Sequence, residues 1–168
     1  MKALIAYFSR ADENYFAGQL RYIEVGNTER AAKMLSQITG ADLFKIDPVK
    51  AYAKDYNTCI EEARADQQNQ ARPELKQYLD NIDQYDTIYL GYPNYWGTMP
   101  MAVFTFLERY DFSGKRIKPF CTHEGSGLGR SENDLKKVCP KAIVEKGLAI
   151  VGSRVDNSAK TLQLWAEA

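Results

Sequence analysis

The side chains best suited to holding a ligand fall in three short stretches: Ser9-Arg10 with Gly26-Asn27-Thr28, Pro93-Asn94-Tyr95-Trp96-Gly97, and Thr122-His123-Glu124-Gly125-Ser126-Gly127. In the first, hydroxyls, a guanidinium and a glycine gather where a helix is expected to begin. The free N–H groups and positive end of a helix start suit a phosphate, and the same residues also serve as a plain helix cap. In the second, Trp96 offers a broad face for stacking a planar ring. Gly97 and the flanking prolines shape the backbone, and amides between Asn94 and Thr98 can bond a heterocycle. Tyr95 can equally cap the core. In the third, Gly125, Gly127 and Gly129 bare backbone amides that suit the polar edge of a ring. This run is not a dinucleotide fingerprint, because Arg130 stands at the third glycine position and no acidic partner follows at the required distance. His123, the sole histidine, either hydrogen-bonds a ligand or is structural.

Short apolar runs must position these stretches. Residues 3–8 (ALIAYF) have the character of a strand buried on both faces. Residues 42–46, 87–91 (TIYLG) and 117–122 read the same way, and 142–151 contains the last strand. Helices are expected at 28–38, with Ala31, Leu35 and Ile38 on one face, and across the polar stretch 55–80. The latter is interrupted near Arg72-Pro73, where proline suits a first helical turn. Further helices are expected at 101–108, with Pro100 in the first turn, and after Ser131, whose S-x-x-D spacing to Asp134 has the form of a capping box. A final helix is expected from Asn157 or Ser158 onward. Strand alternating with helix about five times argues for an α/β parallel sheet covered on both faces. Ligands of such sheets sit beyond the carboxyl ends of the strands, and all three stretches follow a strand.

The segment 11–25 is long for a strand-to-helix connection, although doubling a loop costs only about 0.6 kcal/mol in closure entropy. Its Tyr15, Phe16 and Tyr22 suggest that it folds back, either as a lid or as a self-packed surface loop.

Composition narrows the classes. The 168 residues suit one domain spanning 1–168, and Lys plus Arg equals Asp plus Glu at 22 each, so no net field recruits nucleic acid or an anionic membrane. The apolar run in MKALIAYFSR is too short for a leader or a membrane span, which makes a cytoplasmic location the expectation. Three cysteines without CxxC or metal-like spacing favour buried thiols in a reducing compartment over disulfides or a metal site.

A phosphate cradle, an aromatic shelf and an amide-rich edge are together what flavin mononucleotide (FMN) requires. The chain resembles the flavodoxin-like family of FMN-binding proteins from Met1 to about Trp165, most specifically in DTIYLGYPNYWGTMPMAVFTFLERYDFSGKRIKPFCTHEGSGLGRSENDLK. The resemblance implies a doubly wound five-stranded parallel sheet of order 2-1-3-4-5. It also implies that Ser9, Arg10, Asn27 and Thr28 hold the phosphate, that Pro93, Asn94, Tyr95, Trp96 and Gly97 line the ring, and that Thr122 to Gly127 meet its pyrimidine edge. The phosphate motif is split by the 11–25 insert. Glu124 stands where relatives often have glycine, and a carboxylate there is expected to lower the midpoint potential.

The resemblance implies no catalytic side chain, because FMN carries the chemistry. The expected activity is that of an oxidoreductase with a nicotinamide donor and a quinone-like, nitro or azo acceptor. The alternative is an electron carrier docking on redox protein partners, although dedicated carriers of this kind tend to be acidic. A module without FMN is a third class. A receiver-type reading fails, since Phe8-Ser9-Arg10 and Gly91-Tyr92-Pro93 stand where acidic residues are needed.

Overall fold

The computed structural model describes residues 2–168. Strand β1 (Lys2–Tyr7) leads to a hairpin, β2 (Asp12–Phe16) and β3 (Gln19–Ile23), then to α1 (Asn27–Thr39), β4 (Asp42–Lys45) and α2 (Tyr56–Gln68). There follow β5 (Tyr85–Pro93), α3 (Met101–Arg109), β6 (Arg116–His123), α4 (Ser131–Val138), the short β7 (Ile143–Val144) and β8 (Leu148–Val151). A 3-10 helix (Gly152–Asn157) and α5 (Ala159–Glu167) close the chain. The main sheet runs β4-β1-β5-β6, with β7 and β8 both beside β6, and all its pairings are parallel. With the hairpin set aside, this is the expected 2-1-3-4-5 order, the fifth position being shared by two short strands.

The period of two in β1 divides the core. Leu4 and Ala6 join Ile88, Leu90, Phe106 and Leu135 on one face, while Ile5 and Tyr7 join Tyr89, Phe120, Leu35 and Leu162 on the other. Because both faces are covered, the strands read as unbroken apolar runs. Lys118 is the buried charged exception within β6. Its Nζ donates to the carbonyls of Trp165 at 3.0 Å, Ala166 at 3.3 Å and Ala168 at 3.2 Å, fastening the last turn of α5 to the sheet.

Three local expectations change and one is sharpened. The segment 11–25 folds back, as expected, into an antiparallel hairpin in register from Asp12↔Ile23 to Phe16↔Gln19, and the Glu13 N–H ties it to the Lys54 carbonyl at 3.2 Å. The helix expected over 55–80 stops at Gln68; Gln70 takes a positive φ of 51° and Arg72 precedes proline, which disfavours helix. The chain then runs irregularly so that Leu75 can bridge Pro48 and bury itself with Ile82. The capping box at Ser131 does not form either. Arg130 is the cap residue, and Ser131 is fully buried, taking a hydrogen bond from the Tyr92 hydroxyl at 2.8 Å and donating to the Leu128 carbonyl. Pro100 likewise stands at the cap position of α3 rather than inside its first turn.

Candidate functional site

Helix α1 starts without a capping side chain of its own. Ser9, from the end of β1, reaches across instead and accepts the Glu29 N–H at 3.0 Å. Gly26 makes this approach possible: a Cβ there would lie 2.2 Å from the Ser9 Oγ and 2.6 Å from the Arg10 carbonyl oxygen. The N–H groups of Asn27 and Thr28, the first two of the helix, have no partner among the described residues. The Thr28 hydroxyl is buried and lies 2.7 Å from that of Thr122. Only one of the two can donate to the other, so one O–H remains to be given elsewhere.

Residues 95–98 form a two-residue hairpin turn. Tyr95 N–H bonds the Thr98 carbonyl at 2.8 Å and Thr98 N–H returns to Tyr95 at 3.3 Å. Trp96 and Gly97 occupy its centre with φ of 53° and 89°, the left-handed pair of a type I′ turn, where Asn-Gly is the favoured sequence. A tryptophan there is strained by about 1–2 kcal/mol, so its neighbours must hold it. They do: Trp96 Nε1 donates to the Ile60 carbonyl at 2.7 Å, its own carbonyl accepts from Gln67 and Arg130, and the Arg64 guanidinium lies 5.0 Å from its ring centre. Trp96 nevertheless stays 41% exposed. Strain together with exposure marks a side chain placed for contact rather than for folding. Tyr95 instead packs its ring against Phe8 and Tyr52, which is the core-capping role.

The third stretch is fastened to the second. Asn94 Nδ2 donates to the Gly127 carbonyl at 2.8 Å, and the Arg130 N–H donates to Gly97 at 2.8 Å. A Cβ on Gly129 would lie 2.3 Å from the Gly97 oxygen, so these loops touch backbone to backbone. His123 Nδ1 accepts the Gly125 N–H at 2.9 Å, which leaves Nε2 as the N–H of the neutral imidazole. Glu124 does not present a free carboxylate: it accepts the Ser153 N–H at 2.8 Å and the Ser153 hydroxyl at 3.3 Å. The carboxylate thereby ties this loop to the 3-10 helix while still lining the cleft.

A cleft of about 450 Å³ joins these pieces, a volume typical of small-molecule sites. Arg10, Asn27, Pro93, Asn94, Tyr95, Trp96, Gly97, Thr122, His123, Glu124 and Ser126 all line it. Ser9, Thr28, Gly125 and Gly127 sit behind this lining and shape it through the contacts just described. Arg10 departs from its expected place beside α1. Its side chain donates to the carbonyls of Glu13, Ala53 and Lys54, pinning the hairpin to the loop before α2.

Residues not assigned to the site from the sequence form the remaining wall. Tyr56, Cys59, Ile60 and Ala63 face the cleft from α2, and Asn14 and Tyr15 from the hairpin. The spacing i, i+3, i+4, i+7 on α2 was the available signal. Tyr15 stacks obliquely on Tyr56 at 6.2 Å, and Glu13 accepts the Tyr56 N–H at 2.9 Å. The hairpin is thus a fixed wall of the site.

The flavodoxin family model matches residues 2–168. The chain belongs to the flavodoxin family. Among solved structures, it is similar to a candidate flavoprotein of Bacteroides uniformis, at 30% identity over 99% of this chain and 98% of that one with a TM-score of 0.80. A candidate flavoprotein of Bacteroides eggerthii is also 30% identical, over 96% and 97% of the two chains, with a TM-score of 0.73. A Lactobacillus acidophilus flavoprotein in complex with FMN shares the fold at 23% identity over 93% and 97%, with a TM-score of 0.64. No curated protein matches the chain. In this family member the three loops stand at the carboxyl ends of β1, β5 and β6, flanking the point where strand order reverses. Among the described residues no helix is long and apolar enough to cross a membrane, and no group of three or more His, Cys, Asp or Glu could hold a metal ion.

Proposed function

We propose that the cleft binds FMN and that the protein is an FMN-dependent oxidoreductase, moving electrons from a nicotinamide donor to a flat, quinone-like acceptor. One observation carries this reading: Asn27, whose N–H is unpartnered among the described residues, lines the same cleft as the strained, exposed Trp96, with the unpartnered N–H of Thr28 next to it in the first turn of α1. Gly26 lets Ser9 and the Arg10 carbonyl pack closely against the start of α1, which fixes that helix start. The Lactobacillus acidophilus complex with FMN supports the assignment of the ligand.

Bound FMN supplies a ring that takes up and releases one or two electrons. The chain orients it. Asn27 and Thr28 meet the phosphate, Trp96 meets a ring face, and the 122–127 loop meets the polar edge with the His123 Nε2–H as a donor. The clamps among Asn94, Gly97, Gly127 and Arg130 hold the loops in place before binding, which lowers the ordering cost.

A carrier role is the second reading, and one observation favours it. Leu20 and Tyr22, 47% and 63% exposed on the hairpin beside the cleft, offer an apolar contact for a redox protein. Titration with FMN tests the cofactor, read by quenching of flavin fluorescence, with affinity expected at micromolar or tighter. Steady-state oxidation of NADH or NADPH with a quinone then separates the readings. Turnover supports the oxidoreductase, while reduction solely through a protein partner supports the carrier. A chain that takes up no FMN overturns both.

A further inference from the structure

The wall that the hairpin and α2 give the cleft carries polar atoms that no bond within the fold satisfies. Asn14 Nδ2 donates to the carbonyls of Arg10 at 3.1 Å, Ala11 at 3.2 Å and Asp12 at 3.4 Å. Three carbonyl oxygens around one atom fix it as the nitrogen, so the other end of the amide is Oδ1, which accepts and cannot donate. Oδ1 has no partner among the described residues, and it is accessible rather than buried. Asn14 lines the cleft together with Tyr15 and Tyr56. Neither tyrosine hydroxyl has a partner among the described residues, and that of Tyr56 is accessible although the residue is half-buried.

These groups are held in place beside the aromatic shelf. The Glu13 carboxylate accepts the Tyr56 N–H at 2.9 Å, and Tyr15, 43% exposed, meets Tyr56 with ring centres 6.2 Å apart. Trp96 is fastened further along α2, through Ile60, Arg64 and Gln67, whereas Tyr56 is the first residue of that helix. A rise of about 6 Å separates Tyr56 from Ile60, so the two tyrosines extend the cleft beyond the shelf. The two substrates of the proposed reaction differ in the property that Asn14 reads. Quinone, nitro and azo groups present only acceptors, which Oδ1 repels. A nicotinamide ring carries a carboxamide, whose N–H groups need an acceptor and whose carbonyl needs a donor. Asn14 Oδ1 supplies the first and a tyrosine hydroxyl the second, while the phenol rings offer a flat ring a stacking face. A contact that leaves the wrong ligand's polar groups unpaired discriminates well.

We propose that Asn14 Oδ1, with the Tyr15 and Tyr56 hydroxyls, forms the subsite for the carboxamide-bearing ring of the nicotinamide donor. Its part in the reaction rests on the FMN reading, whereas binding of the ring at this wall does not. The probe is nicotinamide, titrated into nitrogen-15-labelled protein with and without FMN while the Asn14 side-chain amide resonances are followed. The expected result is a saturable shift in both forms. The control ligand 3-acetylpyridine keeps the ring and the carbonyl but lacks the N–H groups, and is expected to bind about five- to tenfold more weakly. Asn14→Leu should erase that preference, a ratio that general loosening of the hairpin leaves alone. Tyr15→Phe combined with Tyr56→Phe keeps both rings and should weaken the two probes alike, by about fivefold. That pair reads the subsite even if Asn14→Leu fails to fold. No shift in either form overturns the proposal, and so does equal affinity for the two probes. Displacement of nicotinamide by FMN also overturns it, because the wall then belongs to the cofactor. A shift in a chain that takes up no FMN upholds the subsite and sinks the cofactor reading alone.

Discussion

The hydroxyls of Thr28 and Thr122 lie 2.7 Å apart, both buried, and join the first turn of α1 to the end of β6. The helix start that can receive an anion and the loop that can receive a ring edge therefore move as one piece. Replacing either threonine by valine leaves the other hydroxyl with a lost partner and is expected to cost about 1–2 kcal/mol. The double replacement should cost clearly less than the sum of the two, read by urea unfolding of all four proteins. Additive losses would mean that the two hydroxyls are not coupled.

Trp96 sets function against folding. Trp96→Asn converts the turn to Asn-Gly, relieving about 1–2 kcal/mol of left-handed strain while removing an indole bond to Ile60 worth about 1 kcal/mol. Stability should thus change little or rise. Affinity for FMN should fall, by up to about tenfold if a stacking energy of roughly 0.5–1.5 kcal/mol is lost. A thermal melt and an FMN titration on the same variant check the two halves.

Two glycines with positive φ separate conformational strain from close approach. Gly114 has a φ of 76° with open space where a Cβ would go, while Gly129, at 56°, would place its Cβ 2.3 Å from the Gly97 oxygen. Gly114→Ala is expected to cost about 1 kcal/mol through its backbone alone. Gly129→Ala should cost at least twice that and also weaken FMN binding, because the Gly97 loop must shift. Equal melting temperatures for the two variants would refute the backbone contact between the loops.

Alkaline pH should weaken the fold. Burial pushes the Cys139 thiol up to about 11 and Cys121 to about 12, and burial with nearby carboxylates pushes Tyr7 to about 12. The unfolded chain gives up these protons first, from about pH 9 for the thiols and pH 10 for the phenol. It therefore binds fewer protons than the folded chain in that range, and stability declines with rising pH. These groups contribute no slope below pH 8. Unfolding curves between pH 7 and 11 test this, and all three cysteines should resist alkylation at pH 8 in the folded protein, since all are buried.

Much of the architecture was written in local patterns. Continuous apolar runs such as ALIAYF have the length and character of strands covered on both faces, and their alternation with helices argues for a parallel sheet with its ligand edge at the strand ends. The glycines at 97, 125 and 127 and the exposed tryptophan could be read as a site because their oddity is local: each breaks a rule that a plain loop would obey. The helix ending at Gln68 was obscured because polar composition continues past it, and only burial of Leu75 and Ile82 against the sheet decides the path.

What tertiary structure alone decided are the partners. Ser131 looked like a cap, Glu124 like a free carboxylate and Arg10 like a phosphate ligand, and each turned to a residue at least three positions away. A side chain's type states what it can bond, whereas its partner depends on which donor or acceptor the fold brings within about 3 Å. Sequence spacing carries that information within a helix or strand, where geometry repeats, and loses it across loops. The parallel sheet was therefore legible in the local alternation of strand and helix, the order of its strands came from the family resemblance, and the wall made by the hairpin and α2 came from packing.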